Sequence, residues 1–249
     1  MTINRDSPLP LYYQLKRLLL AKIESGELKP GDIFPTEQII QETYEVSRTT
    51  VRQALSELEE DGKITRHRGR GTFVAKPKVK HIPEQYPDLT DHMTLQGLVP
   101  GWRLLSAEWV FPSMEVGKQL QVDEEQRVFR LERLRLEHDE AIGYHIAHVA
   151  PDYAGSIDEH AFTTGGSLRY LRPLPALETA VADRMIDALP ASEHVAKMLD
   201  VSPGEPLLRV QRVIRTPEGS PIEAFSRVYR GDRFQYHIQN MRAVNGINA

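Results

Sequence analysis

The chain of 249 residues contains no cysteine. That excludes a disulfide framework and thiolate zinc sites, and it fits a reducing, cytoplasmic location. No window approaches the roughly 20 consecutive apolar residues of a membrane span, and Met1 to Pro10 lacks the apolar core of a signal peptide, so no membrane is expected among its partners. An excess of positive charge is also missing. Lys+Arg number 31 against 35 Asp+Glu, a formal net charge of -4. Any nucleic-acid contact must therefore come from a local patch, because local phosphate neutralisation drives such binding.

That patch exists. Residues 1 to 80 hold 14 Lys+Arg against 11 Asp+Glu, whereas residues 81 to 249 hold 17 against 24. From residue 47 to 80 the count is 9 basic to 4 acidic. The split, with a length that suits two domains, predicts a basic N-terminal domain and an acidic C-terminal one.

Within the patch, Ser47 to Gly62 reads as a helix with both ends marked. Ser47 can accept from an unpaired first-turn amide, and Gly62 can adopt the left-handed conformation that ends helices. At about 100° per residue, Val51, Ala54, Leu55 and Leu58 form one apolar stripe. Arg48, Thr49, Arg52, Gln53 and Ser56 gather on the other side. The cationic and amide groups occupy the first two turns, and Glu57, Glu59, Glu60 and Asp61 the last. A helix entering a major groove by its N-terminal end presents donors to bases and phosphates, provided the acids point away. Taken alone, the pattern also describes an ordinary amphipathic surface helix, so its neighbours matter.

Upstream, Leu11, Leu15, Leu18, Leu19 and Ile23 are spaced as a first helix that stops at Gly26. Pro30-Gly31 turns, and Thr36 caps a second short helix. Tyr44 to Val46 connects it to the third. Downstream, 63 to 66 and 72 to 74 read as strands joined by His67-Arg68-Gly69-Arg70-Gly71, a hairpin whose glycines allow positive φ. Arg66, Arg68 and Arg70 then belong to a wing able to reach a minor groove. The sum is a winged helix-turn-helix.

Residues 11 to 75, above all Phe34-Pro35-Thr36-Glu37, Ser47 through Leu55, Leu58, Gly62 and Arg68-Gly69-Arg70-Gly71-Thr72-Phe73-Val74, closely resemble the DNA-binding domain of GntR-family transcription regulators. The resemblance implies that Arg48, Thr49, Thr50 and Arg52 contact bases and phosphates and that Gly69 sits at the wing tip. Thr36, Ser47, Gln53, His67, Arg68 and Arg70 complete the candidate DNA-binding set. Gln38 stands where many members have arginine, which weakens a phosphate contact there.

Lys76 to Asp88, with Pro77, Pro83 and Pro87 among lysines, reads as a semi-rigid extended linker. Beyond it the pattern predicts a largely antiparallel α+β domain over 89 to 249. Helices fall near 89 to 97, 113 to 120, 167 to 171 and 191 to 200. Strands fall at 102 to 111, 126 to 137, 141 to 150 and around 177 to 188, with a hairpin of 205 to 216 and 221 to 230 closed by Pro217-Glu218-Gly219-Ser220. Arg133 and Arg135 alternate along a strand and share a face, where two guanidinium forks can take an anion. Pairing with Glu132 and Glu137 on a solvated edge is the alternative. His160, His194 and His237 show no metal-ligand spacing, and Trp102 and Trp109 read as packing residues.

The order of these elements, with Arg133-Leu134-Arg135-Leu136, Ser167-Leu168, Val201 through Leu208, and Pro221-Ile222-Glu223 through Phe234, resembles the UTRA effector domain of the HutC subfamily. That resemblance covers about residues 89 to 240 and implies a chorismate-lyase-like fold that dimerises and binds a small molecule. By resemblance to phosphosugar-sensing relatives, the effector-binding candidates are Arg133, Arg135, His145, Ser167, Glu223 and Tyr229. His145 stands where those relatives have a glutamate, which argues against an amino-sugar phosphate and for a more acidic effector.

These readings lead to a mixed α/β regulator of transcription, a repressor that needs no cofactor. Its expected partners are a palindromic double-stranded operator, a second copy of itself as homodimer, and a small anionic effector such as a phosphosugar or organic acid. Two rivals remain open: a chorismate-lyase-type enzyme carrying a DNA-binding domain, with Arg133, Arg135, His145 and Glu223 as its machinery, and a nonspecific nucleic-acid compactor.

Overall fold

A computed structural model of the chain describes residues 3–67, 69–83, 88–164, 166, 168–171 and 174–238. They divide into two compact units, Met1–Pro77 and Lys78–Ala249.

The first unit holds three helices, α1 (Leu11–Glu24), α2 (Glu37–Tyr44) and α3 (Arg48–Glu60), followed by strands β1 (Ile64–His67) and β2 (Gly71–Val74). Thr36 caps α2 by accepting from the amide of Ile39, and Ser47 caps α3 by accepting from Thr50. Between them Glu45 takes φ 53°, a left-handed turn for a single non-glycine residue, which ends α2 and starts the tight connection. Val51, Ala54, Leu55 and Leu58 are all buried, against Leu15 and Leu19 of α1 and Ile40 of α2. Each buried Val, Leu or Ile among them contributes about 1.5–3 kcal/mol. This docked stripe fixes which side of α3 faces outward. β1 and β2 pair antiparallel from Ile64↔Val74 to His67↔Gly71.

The second unit is built on one six-stranded antiparallel sheet. In chain order it contains β3 (Val79–His81), α4 (Leu89–Leu95), β4 (Pro100–Val110), α5 (Met114–Leu120), β5 (Val128–Glu137), β6 (Glu140–Val149) and α6 (Pro151–Ala154). After a single 3-10 turn at Glu159–Phe162 come α7 (Pro175–Glu178), β7 (Val181–Pro190), α8 (Glu193–Leu199), β8 (Pro206–Arg215), β9 (Pro221–Arg230) and β10 (Phe234–Tyr236). The sheet order is β4-β5-β6-β9-β8-β7. One face packs on Leu89 and Met93 of α4 and on Phe162, Tyr170 and Phe234. The other packs on Ala196 and Leu199 of α8 through Leu134, Leu136, Tyr144 and Val228.

Three local expectations are corrected here. The stretch expected to be a linker contains β3, which pairs in parallel with β10 from Phe234↔Val79 to Tyr236↔His81. Val79 and His81 are buried there, so the short Val-Lys-His alternation is a strand recruited by a partner more than 150 residues away. The helix expected at 167 to 171 is a turn at 168–170, after which Leu171 bridges to Ile157. The strand expected from 177 starts at Val181, because Pro175 opens the short helix α7.

Candidate nucleic-acid interface and ligand pocket

On α3 the docked stripe leaves Arg48, Thr49, Arg52, Gln53 and Ser56 exposed. Arg48 and Arg52 are 72% and 65% exposed, and both lean toward Glu37 in the first turn of α2, Arg48 Nε at 3.3 Å and Arg52 Nε at 4.0 Å. Ser47 and Thr50 share a hydroxyl contact of 2.8 Å at the helix start, so Thr50 acts in the cap while Thr49 points out. Thr36 and Ser47 place two capped helix starts, whose free amides favour phosphate oxygens, on the same unit. Gln38 is tied to Glu42 at 2.9 Å.

The acidic half of α3 is handled internally. Lys16 of α1 reaches Glu57 and Asp61 at 2.9 Å each, and those two acids raise the pKa of its ammonium. Arg66 of the wing reaches Glu59 at 3.3 Å. Arg66, read from sequence as a wing cation, therefore braces the wing against α3. The wing turn is closed by the amide of Arg70 donating to the carbonyl of His67 at 3.0 Å, with Gly69 at φ 76° and Gly71 at φ 110°. Only glycine adopts such angles at little cost, which keeps the tip narrow. His67 packs on Phe73 with ring centroids 5.6 Å apart. Arg68 lies outside the described residues.

In the second unit, one sheet face gathers cations. Register places Arg133 of β5 opposite His145 of β6, and His145 opposite Arg227 of β9. One pair-row along, Phe225 faces Arg212 of β8, which faces Arg184 of β7. Arg133 and Arg135 do not lie on a solvated edge, since they are 3% and 0% exposed. Their guanidinium carbons sit 4.0 and 4.6 Å from the ring centre of Trp102. Arg133 donates to the carbonyl of Phe162 at 3.1 Å. Arg135 donates to Thr90 Oγ1 at 3.0 Å and Met93 Sδ at 3.1 Å, while its Nε has no partner. Burial lowers both guanidinium pKa values to about 10. Arg135, fully buried and with no carboxylate at ion-pair distance among the described residues, is held at a desolvation cost that an anion would offset.

His145 is buried with neither ring nitrogen bonded, edge-on to Trp102 at 4.9 Å and to Tyr229 at 5.0 Å. Burial, then Arg227, Arg133 and Arg135, push its pKa well below the usual value, so the imidazole is neutral and offers one donor and one acceptor. Glu223, also fully buried, accepts from the Tyr170 hydroxyl and pairs with Arg212 at 3.3 Å. Tyr229 stacks on Phe234 at 3.9 Å, and the absence of a side chain at Gly143 permits this, because a Cβ there would stand 2.7 Å from the Tyr229 ring. A concavity enclosing about 340 Å³, its mouth included, is lined by His81, Arg184, Arg212, Phe225, Arg227 and Tyr229 among others.

The structure thus brings Arg133, Arg135, His145, Glu223 and Tyr229 to one face, while Ser167 lies outside the described residues. Sequence reading missed Trp102 as a floor for the arginine pair, together with Thr90, Tyr170, Arg212 and Arg227. Trp109, by contrast, is 48% exposed. The available signal was charged residues at inward positions of otherwise apolar alternation, as in Val210-Gln211-Arg212-Val213.

Two family models match the chain: bacterial regulatory proteins, gntR family, over residues 11–74, and the UTRA domain over residues 95–235. The HTH-type transcriptional repressor NagR of Bacillus subtilis is 31% identical over 236 residues, 95% of this chain and 97% of NagR. The HTH-type transcriptional repressor PhnF of Mycolicibacterium smegmatis is 30% identical over 248 residues, 96% of this chain and 98% of PhnF. A crystal structure of PhnF from Mycobacterium smegmatis aligns with a TM-score of 0.57 at 26% identity, over 94% of this chain and 100% of that one.

Proposed function

Because the chain belongs to the GntR family and carries a UTRA domain, and is therefore a DNA-binding transcription regulator and not an enzyme, we propose that it represses transcription as an effector-released homodimer. Residues 1–75 read DNA and residues 89–249 sense the effector and pair the two copies. The observation that carries the DNA half is the division of α3. Its buried stripe leaves Arg48, Thr49, Arg52 and Gln53 outward, while Glu57 and Asp61 are held by Lys16 and Glu59 by Arg66. With the wing residues His67, Gly69 and Arg70, and with Thr36, Ser47 and Thr50 at the helix starts, this surface suits a major-groove helix flanked by a minor-groove tip.

Two copies demand a palindrome whose half-sites lie about one helical turn apart. Arg133, Arg135, His145, Glu223 and Tyr229 take a small anionic effector, and its binding favours an arrangement of the heads that no longer matches that spacing. Among the described residues no helix is long and apolar enough to cross a membrane.

Selection of random duplexes at fixed salt, followed by gel shifts on the winner and its scrambled version, tests the reading. A palindrome bound at least about a thousandfold more tightly than scrambled DNA is expected. Equal affinity for both overturns it. For the sensing half, Arg133→Ala should leave operator binding in place and abolish release by the inducer, and surviving release overturns the pocket assignment.

A further inference from the structure

The cations of the pocket face form two pairs on two aromatic platforms. Arg133 and Arg135 rest on Trp102, at 4.0 and 4.6 Å. Arg212 and Arg227 rest on Phe225, at 4.2 and 3.5 Å. The register row Arg133–His145–Arg227 spans two strand spacings, so the α-carbons at its ends are about 10 Å apart. His145, buried and unpartnered, lies between the platforms.

Charge does not balance across this face. Asp88 and Glu223 are the carboxylates whose field supports these arginines. Glu223 is committed to Arg212 and Tyr170, and neither Arg135 nor Arg227 makes an ion pair among the described residues. Among the described residues, the four guanidinium groups outnumber these two acids, and Arg135, fully buried, makes no ion pair there, a placement that costs much more than at a surface. One phosphate bound at Trp102 would meet the first pair only. The open concavity, moreover, is lined by Arg212 and Arg227 together with Arg184, beside the second platform.

We propose that the effector carries an anionic group at each end, one seated by Arg133 and Arg135 over Trp102 and the other by Arg212 and Arg227 over Phe225, with His145 bonding the backbone of the molecule between them. The chemical class is a small extended bis-anion, a dicarboxylic acid or a phosphorylated carboxylic acid, in place of a phosphosugar that is neutral beyond its phosphate. This rests on the effector-site reading above and sharpens it.

Two tryptophans are present, so Trp109→Phe leaves Trp102 as the sole tryptophan, selectively excited at the red edge of the indole band and in contact with the first pair. That protein is titrated at constant ionic strength with inorganic phosphate, with the single-ended probes hexanoate and glucose 6-phosphate, and with the double-ended probes adipate and 6-phosphogluconate. The double-ended probes should bind at least about tenfold more tightly than their single-ended counterparts, about 1.4 kcal/mol. Arg227→Gln should erase that margin, leave the phosphate and glucose 6-phosphate responses in place, and be partly rescued as Arg227→Lys. Arg135→Gln should remove every response while circular dichroism confirms the fold. Equal affinity for the two kinds of probe, a margin that survives Arg227→Gln, or a response to phosphate alone overturns the two-ended ligand and leaves the site. Silence toward all five probes, phosphate included, overturns the site as well.

Discussion

The two units hold their arginines in opposite ways. On α3, Arg48 and Arg52 are more than half exposed and lean on a nearby acid, Glu37. On the sheet, Arg135 is 0% exposed, stacks on an indole, and has no acid at ion-pair distance among the described residues. An exposed guanidinium waits in water at little cost and gains little from a surface pair, about 0–1 kcal/mol. A buried one without a counter-ion strains its surroundings until an anion arrives. On the proposed reading, the head exchanges one weak partner for many phosphates quickly and in a salt-dependent manner. On the same proposed reading, the sheet responds strongly to one small molecule.

The broadest way to sharpen the contrast is acid. Burial lowers the pKa of His81 to about 3 and of His148 to about 4, and that of His145 well below the usual value. The unfolded chain takes up these protons near pH 6.5 and the native sheet refuses them. Stability from this source is therefore whole above pH 6.5 and falls as pH drops toward the native values. Three such groups make the slope about 4 kcal/mol per pH unit. Far-ultraviolet melts from pH 7.5 to 4.5 should show the sheet unit unfolding first, and a pH-independent midpoint would break the comparison.

Next in size, Arg135→Met removes the uncompensated cation while keeping much of its volume. Without ligand the midpoint should rise, by about 1–4 kcal/mol of stability, and operator release by inducer should vanish. A fall in stability would show that Arg135 is already satisfied. On the head, Arg52→Ala should lose about 1–3 kcal/mol of preference for the operator over scrambled DNA, read by gel shift, if Arg52 meets a guanine. An unchanged ratio removes that role. The smallest effect belongs to Glu37→Gln. Freeing Arg48 and Arg52 from their acid should strengthen nonspecific DNA binding by less than about 1 kcal/mol and steepen its dependence on salt.

Local chemistry made much of the molecule legible. The caps Thr36 and Ser47, the apolar stripe of α3 and the glycines of the wing act within a few residues of one another, so spacing alone located three helices and a hairpin. Alternation likewise put Arg133 and Arg135 on one face. Failures came where a distant segment decided. Val79 to His81 lacks the length to declare itself a strand, and it becomes one because Phe234–Tyr236 offers its backbone bonds. Arg66 looked like a groove cation, yet Glu59 of α3 claims it.

The sequence by itself determined the reading helix, its outward donors, the wing and the membership of the two families, since each depends on short-range periodicity, capping and motif. Only the tertiary structure decided that Arg212 and Arg227 lie on the same sheet face as Arg133 and Arg135, that Trp102 lies beneath the latter pair, and that Arg135 makes no ion pair among the described residues. Strand β9 lies beside β6 although some 70 residues separate them in the chain. Which charges end up sharing a dry face is set by that pairing, and no local pattern encodes it.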